Sequence, residues 1–206
     1  MSVQVVRSAS RTLMAAAALL AVASAAQAGD VMVRGRVLYL DPSNDGTDTA
    51  AAVSLNSKYI WEIDASYFVT PNVALELIAT NPQKQTVYLN GNRVGSLRHL
   101  PPTLTLQYHF APSNPVVRPY VGLGVNYTHI SAVKISVAST NDVTLEHNSW
   151  GLAYNAGADF PITDKLSFNV DFKKIDLQTD AKLNGNKIGT VKVDPVLFGI
   201  GIGYKF

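Results

Sequence analysis

Apolar and polar residues alternate with period two through most of this chain. In Lys58–Tyr67 one face carries Tyr59, Trp61, Ile63, Ala65 and Tyr67, and the other Lys58, Ile60, Glu62, Asp64 and Ser66. Side chains of a strand point to opposite faces in turn, so this pattern predicts a strand with one greasy and one polar side. Seven further segments behave alike: 31–41, 73–78, 103–110, 121–128, 152–159, 166–173 and 196–206. Beyond residue 28 no apolar run reaches the roughly 18 residues of a membrane helix. Eight antiparallel strands can close on themselves and leave no unpaired edge, which hydrocarbon demands. The predicted fold is all-β, an eight-stranded antiparallel transmembrane β-barrel over residues 29–206.

The connections alternate in length. Segments 69–72, 111–116 and 161–164 are short and hold Pro and Asn, whereas 42–56 and 131–147 are long and polar. The remaining two carry Asn-Gly tips within similar stretches, LNGNRVGS at 89–96 and LNGNKIGT at 183–190. Asn-Gly tolerates positive φ at both positions and marks tight hairpins. Short turns on one side and long connections on the other match an outer-membrane barrel with both termini in the periplasm. The repeat reads either as two similar hairpins rising above the membrane or as a duplicated binding element.

Residues 1–28 stand apart. Arg7 and Arg11 precede the apolar run Leu13–Ala26, and Ala26-Gln27-Ala28 supplies a small-x-small cleavage pattern. These are the parts of a secretory signal peptide, with cleavage expected after Ala28. The chain has 17 Lys+Arg and 15 Asp+Glu, and the two signal arginines account for the whole excess. The exported protein is therefore close to neutral, which gives no support to nucleic-acid binding. With no cysteine, neither disulfides nor thiol chemistry are available.

Alternation alone does not say which face points outward, because a soluble barrel would wrap the same apolar face around a ligand. Aromatics on the apolar face near strand ends (Tyr59, Tyr67, Tyr108, Phe110, Tyr127, Phe160, Tyr204) fit interfacial girdles in contact with outer-membrane lipid. The opposite face holds small residues and the charges Arg34, Arg36, Glu62, Asp64, Glu76, Asp171 and Lys205, which can pair inside a narrow lumen. The final strand ends on Phe206, an aromatic of the kind that looks like the signal read by the barrel-assembly machinery.

Chemical motifs are sparse. His99, His109, His129 and His147 show no metal-ligand spacing, so they read as solvated or wall residues and no metal or cofactor is expected. There is no G-x-S-x-G, P-loop or dinucleotide motif, and Gly199, Gly201 and Gly203 alternate along a strand where they make room inside the barrel. A Ser–His hydrolase is defined by geometry and not by spacing, but nothing in the pattern recommends one. No enzyme is expected.

Several segments resemble the OmpW family: His99-Leu100-Pro101-Pro102-Thr103-Leu104, Arg118-Pro119-Tyr120-Val121-Gly122, Asn126-Tyr127-Thr128, Ser149-Trp150-Gly151, Val193-Asp194-Pro195 and Gly203-Tyr204-Lys205-Phe206. Loops 42–56 and 131–147 match it poorly. The resemblance implies an eight-stranded barrel whose lumen is apolar toward the outside, passing small hydrophobic solutes and releasing them sideways into the membrane; the narrow barrel is read as a monomer. The residues are compatible. On the inward face Arg34 and Arg36 give way to Leu38 and Leu40, Ile60 lies above Glu62 and Asp64, and Ile78 lies above Glu76. These form either an apolar funnel or a plug, and Trp150 at the rim either closes the funnel or anchors at the interface. Pro101-Pro102 is the candidate lateral gate, since proline cannot donate to a ladder; the other reading is a bent strand. The alternative function is a structural or surface-receptor barrel whose loops meet phages, bacteriocins or host factors.

Overall fold

The computed structural model describes residues 29–47, 53–135, 143–183 and 185–206. The signal segment 1–28, parts of both long loops and Asn184 of the second hairpin tip lie outside the described residues. The strands are β1 (Val31–Asp41), β2 (Asp45–Gly46), β3 (Val53–Leu55), β4 (Lys58–Thr70), β5 (Val73–Thr80), β6 (Gln83–Leu89), β7 (Asn92–Leu100) and β8 (Thr103–His109). They continue with β9 (Arg118–Ile135), β10 (Val143–Leu145), β11 (Asn148–Pro161), β12 (Leu166–Ile175), β13 (Gln178–Leu183), β14 (Asn186–Lys192) and β15 (Val196–Lys205).

Eight of these form the predicted barrel, in the order β1-β4-β5-β8-β9-β11-β12-β15, every contact antiparallel. The ring closes where β15 pairs with β1 from Met32↔Lys205 to Asp41↔Val196. Side chains follow the predicted parity. Trp61, Leu106, Leu123, Phe198 and Ile200 are exposed on the outer wall, while Arg34, Asp64, Asn126 and Asn169 are fully buried inside. Aromatic pairs stand at both rims of the apolar band. Tyr39–Tyr59 (5.2 Å) and Tyr127–Trp150 (4.7 Å) lie at one; Tyr108–Phe110 (5.2 Å) and Tyr204–Phe206 (5.0 Å) lie at the other.

The wall continues beyond the first rim as two sheets, β3-β6-β7-β9 and β2-β14-β13-β10. Both repeated Asn-Gly segments are hairpin tips, with φ of 50° at Asn90, 77° at Gly91 and 84° at Gly185. The Lys187 ammonium and the Thr190 hydroxyl bond Asp180 on the second hairpin and hold its carboxyl below the usual carboxylate range. The long connections are less irregular than their polarity suggests. Loop 42–56 supplies β2 and β3, which pair with β14 and β6, and β9 runs into 131–147 to pair with β7. Hairpins this tall have unpaired edge amides, and the polar loops provide the partners.

The glycines of β15 let the lumen close. Gly199, Gly201 and Gly203 lie opposite Leu38, Arg36 and Arg34. A Cβ on Gly199 would meet Leu38 Cδ2 at 2.1 Å, and one on Gly201 would meet the Gly35 carbonyl at 2.1 Å and Arg36 Cγ at 2.8 Å. Gly201→Val is therefore expected to destabilise the barrel by about 3 kcal/mol or more. The change should appear as loss of the heat-modifiable electrophoretic shift of the refolded protein.

Candidate functional site

Closure of eight strands brings every inward side chain of the lower wall to one axis, and two arginines from β1 organise them. Arg34 Nε and Nη2 donate to the two carboxylate oxygens of Asp159 at 3.1 and 2.9 Å. Its Nη1 donates to Asp64 at 3.1 Å and to Ser66 Oγ at 2.8 Å. Arg36 Nη1 reaches Glu62 at 2.7 Å and Asp64 at 2.6 Å, and its Nε donates to Asn169 Oδ1 at 2.6 Å. Lys173 bridges Glu62 (2.8 Å) and Asp171, and the Tyr120 hydroxyl donates to Asp171 at 2.8 Å. Glu76 lies 3.6 and 3.5 Å from the two arginines and accepts from Thr105 and Gln107 at 2.8 and 2.7 Å. Each isolated buried charge would cost several kcal/mol, so only a network this dense holds them there.

Six of the seven expected luminal charges meet in this cluster: Arg34, Arg36, Glu62, Asp64, Glu76 and Asp171. Lys205 does not. It lies at the end of the barrel that holds both described termini, 2.5 Å from Asp30 and over the Phe68 ring, because β15 has passed the cluster by that point. Asp159, Lys173, Tyr120 and Asn169 are members that charge and motif reading passed over. Their strand parity with Asn155, Asp171 and Asn126 was the available signal. His99 and His109 are buried and not solvated, at 5% and 2% exposure, His109 packing between Phe68 and Tyr120. His129 and His147 stay near the outer surface.

Above the cluster the lumen turns apolar. Leu38, Leu40, Ile60 and Ile78 are all buried there, and the apolar lining continues upward through Leu55, Val87, Leu97, Ile130 and Leu145. Trp150 is not part of it. It is 69% exposed on the outer wall beside Tyr127, as its parity with Leu152 and Tyr154 requires. Between cluster and extension lies a cavity of about 30 Å3, bounded by Leu40, Ile60, Ile78, Pro101, Ile175 and Leu197 above a floor that includes Glu62 and Lys173.

That cavity reaches a break in the wall. The ladder between β5 and β8 ends at Ile78↔Thr103, and that between β6 and β7 starts at Gln83↔His99, so residues 79–82 face the shorter segment 100–102. Buried Ile78 and buried Gln83 are an odd number of residues apart, so this strand flips its faces across Asn81-Pro82. On the other side the register with β9 runs unbroken from Leu100↔His129 to Thr103↔Asn126, and Tyr127 N–H donates to the Pro102 carbonyl at 3.1 Å. Pro102 thus lacks a donor toward β9, which its carbonyl still engages, and Pro101 lacks one toward β5–β6, where the ladder is broken. Asp194-Pro195 makes a comparable interruption between β14 and β15, but there Leu177 N–H donates to Asp194 Oδ1 and Ile175 N–H to the Pro195 carbonyl. No such stitch spans 79–82 and 100–102 among the described residues.

Comparison with known proteins agrees with this architecture. Over 197 residues the chain is 33% identical to outer membrane protein W of Vibrio cholerae, covering 87% of this chain and 90% of that one. The crystal structure of the outer membrane protein OprG from Pseudomonas aeruginosa superposes with a TM-score of 0.75 at 30% identity, covering 87% and 96% of the two chains. A stretch of 149 residues is 30% identical to PahQ of Pseudomonas aeruginosa, a dibenzothiophene metabolism operon protein, covering 71% of this chain and 65% of that one. The OmpW family model matches residues 27–206, and with the barrel closed, lipid-facing and sealed by a buried charge cluster, the chain belongs to the OmpW family of outer-membrane proteins.

Proposed function

We propose that this barrel admits small hydrophobic solutes from the external medium into its apolar upper lumen and releases them sideways through the wall into the membrane. The observation that carries this reading is the coincidence of three features at one level: an apolar cavity, a charged floor beneath it and an unstitched gap beside it. A solute descending the lumen meets Leu40, Ile60 and Ile78, whose burial favours apolar surface at about 25 cal/mol per Å2. It cannot continue down, because Arg36, Glu62 and Lys173 would have to lose their partners. The break between β5 and β8 is the remaining way out. PahQ, by its name, belongs to an operon for an apolar fused aromatic, which accords with such cargo.

The cavity of about 30 Å3 holds water molecules but no drug-sized solute, so passage requires the side chains around Pro101 to spread. Cleavage after Ala28 and delivery by the barrel-assembly machinery through Phe206 belong to the same reading, the former supported by the Ala26-Gln27-Ala28 pattern after an apolar run.

Leu40→Thr with Ile60→Thr makes the funnel polar without burying a charge, and the heat-modifiable electrophoretic shift should show the barrel still assembled. Uptake of naphthalene by cells expressing the variant should fall about tenfold toward the rate of cells without the protein; an unchanged rate would remove the funnel. Pro101→Val with Pro102→Val restores one donor toward the gap and one toward β9 and should slow that uptake severalfold, whereas equal rates would leave the side exit without support. Planar-bilayer recordings should show almost no steady ion current through the unsubstituted protein. Arg36→Ala with Lys173→Ala should raise that current by breaking the floor.

A further inference from the structure

Most polar groups bordering the cavity are satisfied by one another. Lys173 pairs with Glu62 at 2.8 Å, Asn126 Nδ2 donates to Thr103 Oγ1 at 2.7 Å, and Thr128 Oγ1 donates to Asn126 Oδ1 at 2.7 Å. Two groups are not. His99 Nδ1 and Thr80 Oγ1 are buried without a hydrogen-bond partner, and their residues border the same cavity. Both flank the break in the wall, Thr80 as the last residue of β5 and His99 in the first pair beyond the gap.

The tautomer of His99 follows from its neighbours. Gln85 Nε2 donates to the Asn56 carbonyl at 3.1 Å, which turns Gln85 Oε1 toward the imidazole. His99 Nε2 must then donate to that oxygen, at 3.0 Å, so Nδ1 carries a lone pair and accepts. A buried acceptor left empty is unfavourable, and a solute donor that fills it recovers that free energy. A purely apolar molecule leaves both atoms unfilled and displaces any water that served them.

We infer that the side opening selects apolar solutes bearing one hydroxyl group, such as alcohols and phenols, over the corresponding hydrocarbons. The solute hydroxyl donates to His99 Nδ1, and the Thr80 hydroxyl offers a second partner at the same opening. The ring or chain of the solute lies against Ile78 and Pro101. This selectivity rests on the uptake reading above and refines it.

The test compares 1-naphthol with naphthalene, a pair that differs by one hydroxyl. Protein-dependent uptake, measured as the rate in expressing cells minus that in matched cells lacking the protein, should favour 1-naphthol by about tenfold, the size expected of one buried hydrogen bond. His99→Phe keeps a ring but removes the acceptor, and should bring the ratio close to one. Thr80→Val, nearly isosteric and without a bond to lose within the protein, should lower the ratio severalfold and decides the matter if His99→Phe does not assemble. Equal uptake of both compounds by the unsubstituted protein would overturn the selectivity while leaving hydrophobic uptake intact. A ratio unmoved in the assembled variants would overturn it too. Protein-dependent uptake of neither compound would overturn the uptake reading and this inference together.

Discussion

Backbone amides and carbonyls have no partner in hydrocarbon, so a sheet in a bilayer must pair every strand on both sides. That demand makes β15 return to β1, and the rest of the molecule adapts to the ring that results. Eight strands enclose a lumen only wide enough for side chains. The glycines of β15 answer the crowding by vacating the space into which Leu38, Arg36 and Arg34 extend. An outward face of large apolar residues and an inward face of small or paired polar ones are two consequences of the same closure.

Within so narrow a space charge can exist only as a network. Asp159 engages Arg34 through two bonds, Arg36 is shared by Glu62 and Asp64, and Lys173 links Glu62 to Asp171. These bonds span the lumen between β1, β4, β11 and β12, so they cross-brace opposite walls as well as neutralising one another. Such a layer is a poor passage for ions and a firm base for whatever packs above it. The apolar residues begin where it ends, and the two environments are separated by about one turn of side chains along β1, from Arg36 to Leu38.

The wall is weakest beside that boundary. A ladder tolerates proline only where no donor is needed. Pro102 accepts from β9 through its carbonyl, and Pro101, whose backbone faces the other side, brings no N–H to the strand there. Pro82 lies in the facing segment, so each edge of the gap holds a proline without an N–H. The interruption at Asp194-Pro195 is closed by the Asp194 carboxylate, which caps Leu177. Both proline breaks border the cavity, but one is sealed by a neighbouring side chain and the other is not.

Period-two alternation by itself determined the strand count and put Leu38, Leu40, Ile60 and Ile78 on the face opposite the outer wall, because parity on a strand is a local property of the backbone; the aromatics near strand ends and the charges on the other face then chose the lipid-facing side. Alternation also decided between the two readings of Trp150, whose parity with Leu152 points outward and makes it an anchor on the outer wall. The same signal ran through Tyr120, Asp159 and Lys173. Their membership in the cluster, and the exclusion of Lys205, depend instead on height within the barrel, which the stagger between neighbouring strands sets. Polarity marked loops 42–56 and 131–147 as long connections, but only the extended hairpins, with edges to be paired, turned parts of them into strands. The two prolines at 101 and 102 were visible in the sequence. That they face Pro82 across a longer segment, and that His99 and Thr80 stand unsatisfied beside them, is a matter of register between strands distant in sequence, which no local pattern encodes.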